Sequence, residues 1–203
     1  TARGPVVLLD AGANVDCSAQ ELVQFARLGD VYAEDILRRK SPGIGLLSIG
    51  EEPEKGSIAV KEAHQMLQAA GLNFLGNVEG SDVARGECAA GPIDVVVCDG
   101  FVGNVLLKFH EAMAPFLVGL AARKAGHDPR ELMGSLRELD YAEYGGAPLL
   151  GVRGVSIIAH GRSSAIALKN ALLLAKRAVS SGMNAHIGRR LAEGVKATAT
   201  ETA

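Results

Sequence analysis

Two short segments of this 203-residue sequence combine glycine with residues able to hold or polarise an anion: Asp99-Gly-Phe-Val-Gly-Asn104 and His160-Gly-Arg-Ser-Ser164. In each, an apolar run ends, glycine lets the main chain come close to a ligand, and a helical pattern begins. A helix start aims N–H groups at an anion and adds dipole stabilisation on the order of 1 kcal/mol. In the first segment Gly100 and Gly103 are the glycines, Asn104 stands at the helix start, and Lys108 follows one turn later on the same face. The same residues also read as helix caps, Asp99 and Asn104, beside a surface lysine. In the second, Gly161 precedes Ser163 and Ser164, whose hydroxyls can bind phosphate or cap the helix. Arg162 offers a planar fork suited to phosphate. His160 reads as a site imidazole or as a satisfied core histidine.

Three more polar clusters follow apolar runs: Asp10, Gly12 and Asn14; Gly50 to Glu52; Asn77 and Glu79. Glu51 and Glu52 read as acid/base carboxylates or as solvated charges. Asn77 and Glu79, between two glycines, read as binding residues on a strand-end loop or as caps. His64, His110, His127 and His186 lack metal-like spacing and read as surface or helix residues, so no metal site is expected. No cofactor is expected either, because GxGxxG, GKS/T and GxSxG patterns are all missing. Cys17, Cys88 and Cys98 are odd in number and scattered, which suits a reducing compartment. Cys98 ends an apolar run and reads as a small core residue rather than a nucleophile.

The elements that must position these residues alternate. Apolar runs at Pro5–Asp10, Ile44–Ile49, Asn73–Gly76, Asp94–Cys98 and Val155–Ala159 predict strands. Ser18 with Glu21 is a capping-box pattern, opening a helix with Leu22, Phe25, Ala26 and Leu28 on its apolar stripe. Further helices are expected over about 57–70, from the Asp99–Asn104 turn towards Lys124, from Asp128-Pro129, and over about 164–179. The segment 141–151 reads as turns. Continuous apolar strands between helices predict an α/β fold, a mostly parallel sheet with helices on both faces. Ligands bind such sheets outside the carboxyl ends of the strands, where the polar clusters fall. Residues 1–187 are expected as one core and 188–203 as a polar, frayed tail. No stretch reads as long enough to cross a membrane. A formal charge of −2 and few aromatics exclude a nucleic-acid platform. The opening on Thr1, with a strand starting at once, suggests a processed chain or a fragment whose earlier part is missing.

Taken together, LLDAGANVDC, LVQFARLGDVYAEDIL, LLSIGEEPEKG, LNFLGNVEGSDV, VVVCDGFVGNVLLK, EYGGAPLLGV and IIAHGRSSAIALKNA closely resemble, in order, the C-terminal part of the bacterial phosphate acyltransferase family, PlsX. The resemblance implies an isocitrate/isopropylmalate-dehydrogenase-like fold, incomplete here at the N-terminus because the family's DxxGGD region has no counterpart. It implies conversion of acyl-[acyl carrier protein] and inorganic phosphate to acyl-phosphate and free carrier protein, in the cytoplasm. It also implies a homodimer, with a glycerol-3-phosphate acyltransferase and the inner membrane surface as further partners. Ser48 stands where the family commonly has Asn. On this reading Ser163, Ser164 and nearby N–H groups hold phosphate, while Asn104, Lys108 or His160 polarises the thioester oxygen and Asp99 orients one of them. The segment Ala112–Gly126, apolar with a basic end, reads as a dimer helix or a membrane contact. Other readings are a short-chain phosphotransacetylase acting on coenzyme A thioesters, a nicotinamide-dependent dehydrogenase of the same fold, and a non-catalytic dimerising or membrane-docking fragment.

Overall fold

The computed structural model describes residues 1, 3–126, 128, 144–161 and 163–201. The helix expected from Asp128-Pro129, Arg162, His127 and most of the 141–151 segment's start lie outside the described residues. Contacts divide the chain into two units, Thr1–Asn104 with Ser181–Ala203, and Val105–Ser180, where the sequence suggests one core.

The first unit is built on four parallel strands, β1 (Val7–Leu9), β2 (Ile44–Leu47), β3 (Phe74–Val78) and β6 (Val95–Val97), in the order β1-β6-β2-β3. Register pairs Leu9 with Val97, Leu46 with Val97, and Leu47 with Val78. Asp10, Cys98, Ser48 and Glu79 therefore begin the loops at one shared carboxyl rim. Val95, Val96 and Val97 are fully buried, as expected of a strand covered on both faces, and each contributes roughly 1.5–3 kcal/mol.

On one face lies α1 (Ala19–Asp35), touching β1, β6, α2 (Ile58–Gln68) and α6 (Met183–Glu201). The capping box forms as the sequence predicts: Ser18 Oγ accepts the Glu21 N–H at 3.3 Å and the Glu21 carboxylate accepts the Ser18 N–H at 2.8 Å. On the other face Val78, Ile93 and Val96 pack with Leu8, Leu47 and Val83. That face carries α3 (Gly80–Arg85) and a small hairpin, β4 (Glu87–Cys88) with β5 (Gly91–Pro92), neither of them expected from the sequence. The seam between α1 and α6 is charged. Arg190 lies 3.4 Å from Asp30 and 3.3 Å from Glu34, and His186 Nδ1 lies 3.3 Å from Asp35. Burial pushes the Asp30 carboxyl up, with Arg190 opposing it. The segment from Gly188, expected to fray, is helical to Glu201.

The 26-residue α4 (Gly100–Ala125) starts in the first unit and continues in the second. Contrary to the sequence expectation, it is long and apolar enough to cross a membrane by length and composition. Lys108, Glu111 and Pro115 break up the apolar run in the sequence, but the helix continues through them. Length and composition alone are weak evidence for a span.

The second unit holds β7 (Ala147–Leu149), β8 (Ser156–Ile158) and α5 (Ala165–Ser180). Here the sequence reading is corrected: β8 pairs antiparallel with β7 in a two-stranded ribbon rather than joining the parallel sheet. A three-residue apolar run carries no sign of which sheet it enters. The alternation of exposed and half-buried residues in both strands is that of a ribbon covered on one side.

Candidate functional site

At the end of β1 the chain turns sharply around Asp10, which is 5% exposed. One carboxylate oxygen accepts the N–H groups of Gly12 and Ala13, both at 2.9 Å; the other accepts the Asn14 N–H at 2.7 Å and Asn14 Nδ2 at 2.8 Å. Aspartate favours such turns because its short side chain reaches its own following main chain. Burial alone would raise the Asp10 pKa. The Ala13 N–H, the Asn14 side chain and the Asn14 and Gly12 N–H groups outweigh it and hold the carboxyl below its ordinary value.

This turn packs against the start of α4. The Asn14 carbonyl accepts the Gly100 N–H at 2.7 Å, and the Asp99 carboxylate accepts the Val102 N–H at 2.9 Å. These two donors, which the sequence offers to an anion, are therefore satisfied by the chain itself. A Cβ at Gly103 would stand 1.8 Å from the Asp10 carbonyl oxygen, and one at Gly100 2.4 Å from that of Asn14. Glycine is required at both positions by this close approach. Asn104, exposed, lies against Gly12, whose Cβ position is 3.4 Å from Asn104 Oδ1. Cys98 supports the turn from below. It is buried, its Sγ lies 3.5 Å from the Asp10 carbonyl, and burial pushes its thiol up to about 12. It is a core residue, as its place at the end of an apolar run suggests.

The structure thus brings together Asn14, Asp99, Gly100, Gly103 and Asn104 through Asp10, a residue the sequence places at the rim without a role. The signal was there: Asp followed by Gly12 and Asn14 is an Asx-turn pattern. Lys108, one turn further along α4, pairs with Glu111 at 2.9 Å on the exposed surface.

Asn77 and Glu79 do not join this group. Asn77 belongs to β3 rather than to a loop and is 4% exposed, with both ends of its amide used internally. Its partner His64, expected on a surface or a helix, is on α2 but buried. The Glu79 N–H donates to the Asp82 carboxylate at 2.8 Å, so Glu79 opens α3. Glu51, Glu52 and Lys55 are exposed.

His160, Gly161, Ser163 and Ser164 lie in the second unit, after β8. The Ser163 N–H donates to the His160 carbonyl at 2.9 Å, and Ser164 Oγ accepts the Ala167 N–H at 3.2 Å, so Ser164 caps α5. His160 and Gly161 are exposed. His160 is thus not a core histidine.

A family model described as fatty acid synthesis protein matches residues 1–186. A phosphate acyltransferase of Desulforamulus reducens is 50% identical over 192 residues, covering 90% of this chain and 56% of its own length. Phosphate acyltransferases of Thermodesulfovibrio yellowstonii (45% over 199 residues; 93% and 56%) and Aquifex aeolicus (44% over 208 residues; 96% and 60%) are similarly related. The chain spans 56–60% of the length of these three relatives.

Proposed function

The chain belongs to the fatty acid synthesis protein family, whose relatives here are phosphate acyltransferases, and from that premise we propose that it forms part of an enzyme making acyl-phosphate from acyl-[acyl carrier protein] and inorganic phosphate. The observation that carries this reading is the Asp10–Asn14 turn locked on the start of α4. It supports an exposed Asn104 at the carboxyl rim of a parallel sheet, where α/β proteins take their ligands.

In the reaction a phosphate oxygen attacks the thioester carbonyl carbon. Negative charge develops on the carbonyl oxygen, the carbon–sulfur bond breaks, and the thiolate leaves with the carrier and takes up a proton. Phosphate is already anionic at neutral pH, so placement and oxyanion stabilisation are the main tasks. Asn104 Nδ2 is suited to donate to the developing oxyanion, with Lys108 as a further cation on the same helix and Asp99 shaping the loop. Ser163 and Ser164 are the proposed phosphate contacts of the second unit, with Gly161 admitting close main-chain approach, and His160 is a further candidate to polarise the thioester oxygen. Asn14 supports Asn104 through the turn rather than by touching substrate.

The reading extends to the cytoplasm and to a homodimer. The exposed Phe101, Val105, Phe109, Phe116 and Leu117 of α4 support a covered apolar face, and docking at a membrane with a glycerol-3-phosphate acyltransferase is part of the same proposal. The test is phosphate-dependent acyl transfer by this chain and by a version extended with the preceding region of its longer relatives, with carrier-protein and coenzyme A thioesters compared. Asn104→Ala and His160→Ala are each expected to lower the rate about a hundredfold with folding unchanged. Full activity in both variants rejects these roles, and a preference for coenzyme A thioesters rejects the carrier-protein substrate.

A further inference from the structure

The carboxyl rim contains a second buried polar system. His64 on α2 and Asn77 in β3 are each 4% exposed. His64 Nδ1 lies 2.9 Å from Asn77 Oδ1, and Asn77 Nδ2 donates to the Glu52 carbonyl at 2.7 Å. The Asn77 nitrogen must face Glu52 to donate, so its oxygen faces His64 and accepts from an Nδ1–H tautomer. His64 Nε2 then accepts from Gln68 Nε2 at 3.2 Å. Phe74 fixes the ring from another side, edge to face, with centroids 5.1 Å apart. Every polar group of the pair is engaged within the chain.

The relay ends at a decisive place. The Glu52 carbonyl also accepts the Lys55 N–H at 3.0 Å, which closes the turn after β2. Because β2 stands between β6 and β3 and Leu46 pairs with Val97, this turn and the loop that begins at Cys98 and Asp99 leave neighbouring strands at the same rim. A buried, fully satisfied network of this kind holds one geometry firmly and is costly to leave half satisfied.

We infer that His64 is a positioning residue of the carboxyl rim: acting through Asn77, it sets the main chain of the Glu52–Lys55 turn, at the rim from which the Asp99–Asn104 loop also leaves, without touching substrate. The link to catalysis rests on the proposed reading of that rim as the reaction's edge. The placement of the turn does not.

Amide hydrogen exchange on the 203-residue chain tests the relay directly. The Lys55 N–H is the reporter and the β6 amides are the reference. His64→Ala is expected to speed Lys55 exchange about tenfold or more, with the β6 amides changed less than twofold. His64→Asn, whose Nδ2 stands in for Nδ1–H, is expected to restore protection, and His64→Gln is not. Asn77→Asp keeps an acceptor for His64 but has no donor for Glu52, so it must reproduce the loosening. Should His64→Ala fail to fold, the contrast between His64→Asn and Asn77→Asp decides alone. A Lys55 amide that stays protected in Asn77→Asp overturns the relay, and so does equal acceleration of Lys55 and β6 in His64→Ala. In acyl-phosphate formation, Asn77→Asp is expected to lose at least tenfold in kcat/KM and His64→Asn to retain it. Altered exchange with unaltered kcat/KM overturns the link to catalysis. A wild-type chain extended with the preceding region of its longer relatives that lacks activity counts against the proposed function, while exchange still decides the relay.

Discussion

The two strand-to-helix junctions look alike in sequence and are built differently. At Cys98–Asn104, following a strand of the parallel sheet, the chain fills the helix start with its own acceptors. The Asn14 carbonyl takes the Gly100 N–H and the Asp99 carboxylate takes the Val102 N–H. At His160–Ser164, following a two-stranded ribbon, one serine hydroxyl caps α5 and the histidine and glycine before it are exposed. A glycine-and-polar turn before a helix therefore has two uses. It can pack two main-chain segments together so that a neighbouring side chain is held in place, or it can leave a helix start accessible. The pattern is the same because both uses need a residue without Cβ and a short polar side chain.

The sharpest contrast is in the glycines. Gly103→Ala places a methyl group 1.8 Å from a carbonyl oxygen, so the turn or the helix must move. A loss of about 3 kcal/mol is expected in urea unfolding. At Gly161 no atom of the described residues beyond its chain neighbours lies within 4 Å of the added Cβ, and alanine there is expected to change stability by less than about 0.5 kcal/mol. Equal effects at the two positions would remove the distinction between a packed and an open junction.

Asp10 carries the next effect. Removing its carboxylate in Asp10→Ala leaves four donors without their acceptor, at a cost of about 2 kcal/mol given that water can reach the outer part of the turn. The pH dependence has a definite sign. A carboxyl held below its ordinary value of 3.8 stabilises the fold fully above that value, and the contribution is lost as pH falls through the lowered folded pKa. The stability gap between wild type and Asp10→Asn is thus expected to stay constant from pH 7 to about pH 5 and to close below about pH 4. A gap that persists at pH 2 would mean that the charge is not what anchors the turn.

Much of this was legible in the chain. The capping box at Ser18 and Glu21, the long helix after Asn104 and the placement of polar clusters after strands are local signals, set by propensity and by the 3.6-residue period. What was not legible depends on contacts distant in sequence. Asn77 looks like a loop residue between two glycines, yet β3 runs through it, because pairing with β2 extends the strand to Val78. His64 looks like a surface histidine until Asn77, thirteen residues later, meets it in the interior. Asp10 gives a clear local turn, but its importance comes from Gly100 and Gly103, brought against it only by the pairing of β1 with β6. The ribbon was misread for the same reason: nothing within Ser156–Ile158 names its partner strand.

The smallest effect separates the two uses most cleanly. Ser164 Oγ accepts the Ala167 N–H at 3.2 Å, and Ser164→Ala is expected to cost about 1 kcal/mol as a lost cap. That loss alone does not tell a cap from a phosphate contact, because both use the same hydroxyl and the same helix end. Ser164→Asp does. Aspartate caps as well as serine, and its negative charge suits a helix N-terminus, so stability without phosphate should match wild type. The same charge repels a phosphate dianion from the position it would occupy. If the second junction binds phosphate, inorganic phosphate raises the thermal midpoint of wild type and leaves that of Ser164→Asp unchanged. If both midpoints rise together, the hydroxyl is only a cap, and the two junctions differ in packing but not in use.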